Sequence, residues 1–171
     1  MSKLELIRSL YDYNQYANDE VLAVASELSL EEFESTRGTS KDSVEGNLVH
    51  IVAAQRVWLA RWIKGGNPLP MAQAQAVHGL GAIRNEFERS HSDLREFLAG
   101  LTDERLDRPL AYKDSAGNPY EQLLWRLMLH VANHGSYHRA ETAMALTALG
   151  HSPGDLDYVY FEVAREAGRR R

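Results

Sequence analysis

The chain contains no cysteine. That absence excludes disulfides, zinc fingers with thiolate ligands, iron–sulfur clusters and a cysteine nucleophile. A metal ion would have to be held by histidine, aspartate or glutamate, so the seven histidines carry the interest. Long apolar runs are missing too: none approaches the roughly 20 residues that span a bilayer. Met1–Leu10 is charged and periodic, unlike a secretory signal. A cytoplasmic protein with no membrane partner is the expectation. There is no basic excess either. With 19 Lys+Arg against 24 Asp+Glu the net charge is −5, which argues against a nucleic-acid partner. Basic residues gather only at the tail (Arg165, Arg169, Arg170, Arg171), a pattern of a solvated end. At 171 residues and 44% hydrophobic, the chain suits one soluble domain over 1–171.

The pattern that is present is helical. Leu4, Ile7, Leu10, Tyr11, Asn14, Ala17, Val21 and Ala25 recur at three- and four-residue steps and predict a helix over 2–28. Ser29 with Glu32 reads as a capping box opening a short turn. Val44, Leu48, Ile51, Gln55, Trp58 and Trp62 stripe a second helix over 43–64, stopped by Gly65-Gly66-Asn67-Pro68. Residues 69–77 read as a linker, and 78–100 as a third helix. The turn-formers Arg108-Pro109 and Asp114 to Pro119 flank Leu110-Ala111-Tyr112, consistent with a short hairpin. The longest helix is predicted over 120–149, ended by Gly150, and a last short one over 155–167. The fold class expected is all-α: a four-helix bundle with a short extra C-terminal helix and long connectors.

His130, His134 and His138 fall at steps of four on the longest helix. Each step advances about 40°, so all three point to one side. Two imidazoles at i and i+4 can reach one divalent ion. A third ligand must come from another helix, and His50, beside the Ile51/Trp58 stripe, is the natural candidate. Such a pair is also met as hydrogen-bonded core filling. His78 and His91 lie on a more polar helix and read as surface residues, and His151 as a neighbour of a helix end. Asn14 interrupts the first apolar stripe and reads as a solvated edge position, with reach toward the histidines as the other option. Trp58, Trp62 and Trp125 read as core or dimer anchors. Trp125 heads a stripe of small residues that would admit a close helix.

The segment Leu129-His130-Val131-Ala132-Asn133-His134-Gly135-Ser136-Tyr137-His138-Arg139 resembles the doubled-histidine segment of the DinB/YfiT-like family, damage-inducible proteins unrelated to the Y-family polymerase. Asn47 to Trp58 is similar to the family's first-histidine helix, and Leu149 to Pro153 with Asp157 to its ending. The resemblance implies a four-helix bundle, often a homodimer, with a divalent ion, commonly nickel or zinc, on His50, His134 and His138. His130 is then a neighbour or an alternate ligand. Where the family often has Gly-Gln, this chain has Ala140-Glu141. Glu141 is seven residues after His134, where a carboxylate has three options: to bond a ligand imidazole or a metal-bound water, to ligate, or to be solvated.

Three neutral ligands leave the full charge on the ion and coordination positions open. The expected function is therefore that of a metal-dependent enzyme, either a hydrolase or a transferase using a low-molecular-weight thiol, as relatives of the fold imply. The alternative is a non-catalytic metal-binding or stress-response bundle. Histidine ligation predicts that metal affinity falls as pH drops through roughly 6.5.

Overall fold

The computed structural model describes residues 2–114 and 116–169 and is mostly helical. Helix α1 (Lys3–Ala25) starts at a reciprocal cap in which the Ser2 side chain accepts from the Glu5 N–H and Glu5 accepts from that of Ser2. The short α2 (Leu30–Glu34) repeats the device with Ser29 and Glu32, as its sequence predicts. Helix α3 (Val44–Lys64) is capped by Ser43 and ends at Gly65, whose φ of 70° suits only a residue without Cβ. A single turn, α4 (Met71–Ala74), packs its Ala74 with Ala53 and Val57 of α3. Helix α5 (Leu80–Ala99) and the turn α6 (Asp103–Leu106) follow.

The hairpin is real. Strands β1 (Pro109–Lys113) and β2 (Pro119–Leu123) pair antiparallel, Tyr112 opposite Tyr120. It corrects two expectations. The fold is mostly helical with a two-stranded sheet rather than all-α, and Tyr120–Leu123 belong to β2. Helix α7 (Leu124–Ala148) therefore begins later than its periodicity suggests. Ser115, within the expected turn-forming segment, lies outside the described residues, as do Arg170 and Arg171 of the basic tail. The last helix is α8 (Tyr158–Arg169), within which Arg165 pairs with Glu162. Among the described residues no helix is long and apolar enough to cross a membrane.

The four long helices α1, α3, α5 and α7 pack on one another, α3 and α1 against α7, and both against α5. Their apolar side chains form two clusters. One gathers Val21, Leu48, Val52, Ile83, Phe87 and Leu146, the other Ile7, Tyr11, Trp62, Leu94, Leu106 and Met128. Between them in sequence on every long helix stand buried polar residues: Asn14 and Asn18, Gln55, Ser90 and His91, His138 and Arg139. The core is thus interrupted at mid-height by a polar layer. Each such group needs a partner, because an orphaned buried donor or acceptor costs about 1–3 kcal/mol.

Two members of this layer overturn sequence expectations. Asn14 is 1% exposed, not an edge residue, and accepts from Arg139 Nη1 at 2.6 Å. His91 is 4% exposed, not a surface residue; it stands between Phe87 and Leu94 on the apolar face, with Asn18 Nδ2 at 3.2 Å from its Nε2. His78 is exposed as expected. Burial first, then the charges of Arg95 and Arg139, push His91 down to about 4. The native state keeps it neutral while the unfolded chain takes up a proton below roughly 6.5. Stability should therefore fall as pH drops from 6.5 toward 4, by on the order of 3 kcal/mol from this residue. His91→Gln, which keeps an acceptor for Asn18 but does not titrate, should flatten that fall. Urea midpoints at pH 7 and 4.5 in the presence of chelator check it.

Candidate metal centre

Successive steps of four along α7 carry the histidines around the helix. His138 is buried, His134 half-buried and His130 exposed. The 40° drift per step thus takes His130 out of the inward face. Its ring packs edge-on against Trp58, 5.4 Å between centroids, and it lies outside the cluster the other histidines form. That cluster is His50, His134 and His138, each offering one nitrogen within 4.8 Å of the others. Helix α3 supplies the first and α7 the other two.

The donor set fits a divalent ion. The Nε2 atoms of His50 and His134 are 3.2 Å apart. Two nitrogens on a tetrahedral ion at 2.0–2.1 Å would be separated by about 3.3 Å. The rings are also held neutral. Burial first, then Lys41 and the neighbouring histidines, push His50 down to about 4. Burial, with His138, His130 and Lys41, pushes His134 to about 4 as well. Burial lowers His138 too, partly offset by Glu141. Proton competition for His50 and His134 therefore sets in well below the roughly 6.5 expected of free histidine.

Residues around the cluster fix which nitrogen faces it. His138 Nδ1 lies 3.1 Å from Glu141 Oε2 and 3.3 Å from Asn47 Oδ1. Asn47 is itself oriented, its Nδ2 donating to Thr39 Oγ1 and to the Ser43 carbonyl. Ser40 Oγ, 3.4 Å from Nδ1, gives its own proton to Glu141, so all three neighbours of Nδ1 can accept, the proton sits there and the Nε2 lone pair is left for the cluster. Of the options its position left open, Glu141 takes that of partner to the His138 imidazole. Partial burial works to raise its carboxyl, but the N–H and Oγ–H of Ser40 and the His138 ring outweigh that and hold it below the ordinary range. The connector that carries Ser40 is tied to α7 through the same carboxylate. On the other side Gln75 approaches His50 Nδ1 at 3.0 Å. For Nε2 to face an ion, Nδ1 must carry the proton and the Gln75 amide must turn its oxygen toward it.

Sequence reasoning missed Ser40, Asn47 and Gln75. Asn47 gave a signal: a polar residue one turn before His50, inside an apolar helix. Ser40 and Gln75 stand in connectors without periodicity and gave none. Ala140, in the place of the family's glycine, is exposed. His151 donates its backbone N–H to the Leu146 carbonyl at the end of α7 and places Nδ1 3.1 Å from Glu27, as suits a helix-end residue. Of the tryptophans, Trp62 is core and Trp125 half-buried. Trp58 packs half-buried against the core and also forms a wall, with Tyr112 and Tyr120, of a cleft of about 850 Å³ that opens beside His50.

Comparison with known proteins bears on the fold and the family. The protein DinB of Bacillus subtilis (strain 168) is 23% identical over 159 residues, covering 87% of this chain and 89% of its own. A crystal structure of a DinB-like protein from Bacillus subtilis superposes with a TM-score of 0.61 at 16% identity, covering 84% of this chain and 92% of the other. The sequence pattern of the DinB family matches residues 1–170, and the chain belongs to that family.

Proposed function

We propose that His50, His134 and His138 hold one divalent ion, nickel or zinc, and that the protein is a metal-dependent enzyme of the transferase or hydrolase type. The observation that carries this is a cluster of three neutral imidazoles, buried at His138 and open to solvent at His50 and His134, beside a cleft large enough for a small molecule. A bound ion would supply Lewis acidity, polarising a substrate oxygen or holding the thiolate of a low-molecular-weight thiol. The chain's own residues do the rest. Asn47 and Glu141 hold the His138 proton on Nδ1, Gln75 positions His50, and Trp58 with Tyr112 excludes water from one side of the cleft. The absence of cysteine suits a nucleophilic thiol that arrives from outside.

The same reading places the four long helices as a four-helix bundle in one domain, in the cytoplasm. It also includes a homodimer, supported by the exposed apolar side chains Leu6 and Leu129 beside Trp125 and Tyr158. Protein purified without tag or chelator should carry one divalent ion per chain by elemental analysis, and His138→Ala should carry none. Affinity should hold as pH falls through roughly 6.5, where free histidine protonates, and be lost as pH approaches about 4, where His50 and His134 protonate. A metal-free native protein, or loss of affinity already near 6.5, would overturn the ligand assignment. Assay of the loaded protein with thiol cosubstrates against electrophiles, and with esters and amides, tests the enzymatic part. Activity no higher than that of His138→Ala in both classes would refute it.

A further inference from the structure

The cleft beside His50 ends at a cation, Arg61, that has no ion-pair partner among the described residues. Arg61 projects from α3 three turns beyond His50, about 16 Å along the axis. Its guanidinium lies over Trp58, 4.5 Å from the ring centroid, and 5.6 Å from that of Tyr112. Nε donates to Asn67 Oδ1 at 3.1 Å and Nη2 to the Lys113 carbonyl at 3.2 Å. These bonds fix the plane and tie the loop after α3 to the hairpin. Nη1 donates to no protein group among the described residues. No carboxylate among them lies within 4 Å of Arg61. Asp114 lines the same cleft but is spent on its own turn, accepting from the Ala116 and Asn118 N–H groups and from Asn118 Nδ2.

A half-buried, stacked and oriented guanidinium with donors left over is built to receive a planar anion, which it can bind by a forked pair of hydrogen bonds. The aromatic walls between it and His50 suit an apolar or unsaturated body. We infer that the cleft binds an elongated organic anion, its carboxylate, sulfonate or phosphate on Arg61 and its other end at the histidine cluster. This deepens the reading of the site as a metal centre, but only the His50 end rests on that reading.

The test uses biphenyl-4-carboxylate and its neutral counterpart biphenyl-4-carboxamide, titrated calorimetrically into the native protein with and without zinc. The carboxylate should bind at least tenfold more tightly than the amide in both states. Arg61→Gln should bring the two within about twofold, whereas His134→Ala should leave the ratio unchanged. Equal affinity for acid and amide on the native protein, no binding of either at millimolar concentration, or a ratio that survives Arg61→Gln would overturn the inference. The comparison within the native protein stands even if Arg61→Gln loosens the hairpin. Acid selectivity in a protein that takes up no zinc would refute the metal reading and leave the anion cleft standing. Zinc uptake without acid selectivity would do the reverse.

Discussion

Alanine at His134 is expected to weaken zinc binding by more than about a hundredfold, beyond the 10–100-fold that loss of an outer-shell partner costs. Two ligands would remain, His50 from α3 and His138 from α7, with no carboxylate among the described residues close enough to complete the set. Glu141 is committed to His138 and Ser40. The metal-free variant should melt at the temperature of the metal-free native protein, because His134 is half-buried at the rim and the apolar clusters do not depend on it. The rise in melting temperature that zinc gives the native protein should vanish, since it reflects ligand binding to the folded state alone. Glu141→Gln is the informative contrast. Gln can still accept from His138 Nδ1 but lacks the charge, so affinity should fall about tenfold, within the outer-shell range. Competition with a chromophoric chelator measures all three. Unchanged affinity in His134→Ala would place the ion elsewhere.

The helices were readable because their causes are local. The stripe from Leu4 to Ala25, the Ser29/Glu32 box and the stop at Gly65 each depend on residues within a turn or two. The start of α7 depends on something remote: Tyr120 to Leu123 pair with residues 109–112, and no periodicity within 120–149 reports that pairing. His91 and Asn14 were misread for one physical reason. Both stand in register with apolar stripes, and the default that a polar residue marks a wet face fails where a second polar residue waits opposite. Asn18 meets His91, and Arg139 meets both asparagines, so this part of the buried layer is legible only as a set drawn from three of the four long helices. The histidine cluster was half legible. The i, i+4 spacing nominated His134 and His138, and no local signal tied His50 to them across 83 intervening residues. That link came from resemblance, and contact between α3 and α7 now supplies its physical basis. Spacing also retained His130, because an ideal stripe does not say where on the arc the protein surface begins.

Replacement of Arg139 by leucine should cost about 3 kcal/mol, the low end of the range for breaking a buried charged network. The side chain is 2% exposed and has no carboxylate partner among the described residues; Nη1 donates to Asn14 and Asn18, and Nη2 to Ser136 Oγ. Two effects oppose each other. Desolvation of the guanidinium is unfavourable, and pushes Arg139 down to about 10, so removing the charge returns part of that cost. Leucine, however, leaves the Asn14 and Asn18 oxygens buried without donors, at about 1–3 kcal/mol each. The orphaned acceptors should win. For a chain of this length the loss corresponds to a fall in melting temperature of about 6–12 °C. The same logic explains a glycine in the middle of α7, where it costs about 1 kcal/mol in helix propensity relative to alanine. A Cβ at Gly135 would stand 2.8 Å from Arg139 Nη1 and 2.9 Å from Asn14 Oδ1, so alanine there should destabilise despite its better propensity. Adding Asn14→Leu to Arg139→Leu removes one orphaned oxygen while leaving the Asn18–His91 pair in place, and should recover part of the stability lost in Arg139→Leu alone. If the double variant is no more stable than the single one, packing around the guanidinium, not its hydrogen bonds, holds α1 to α7.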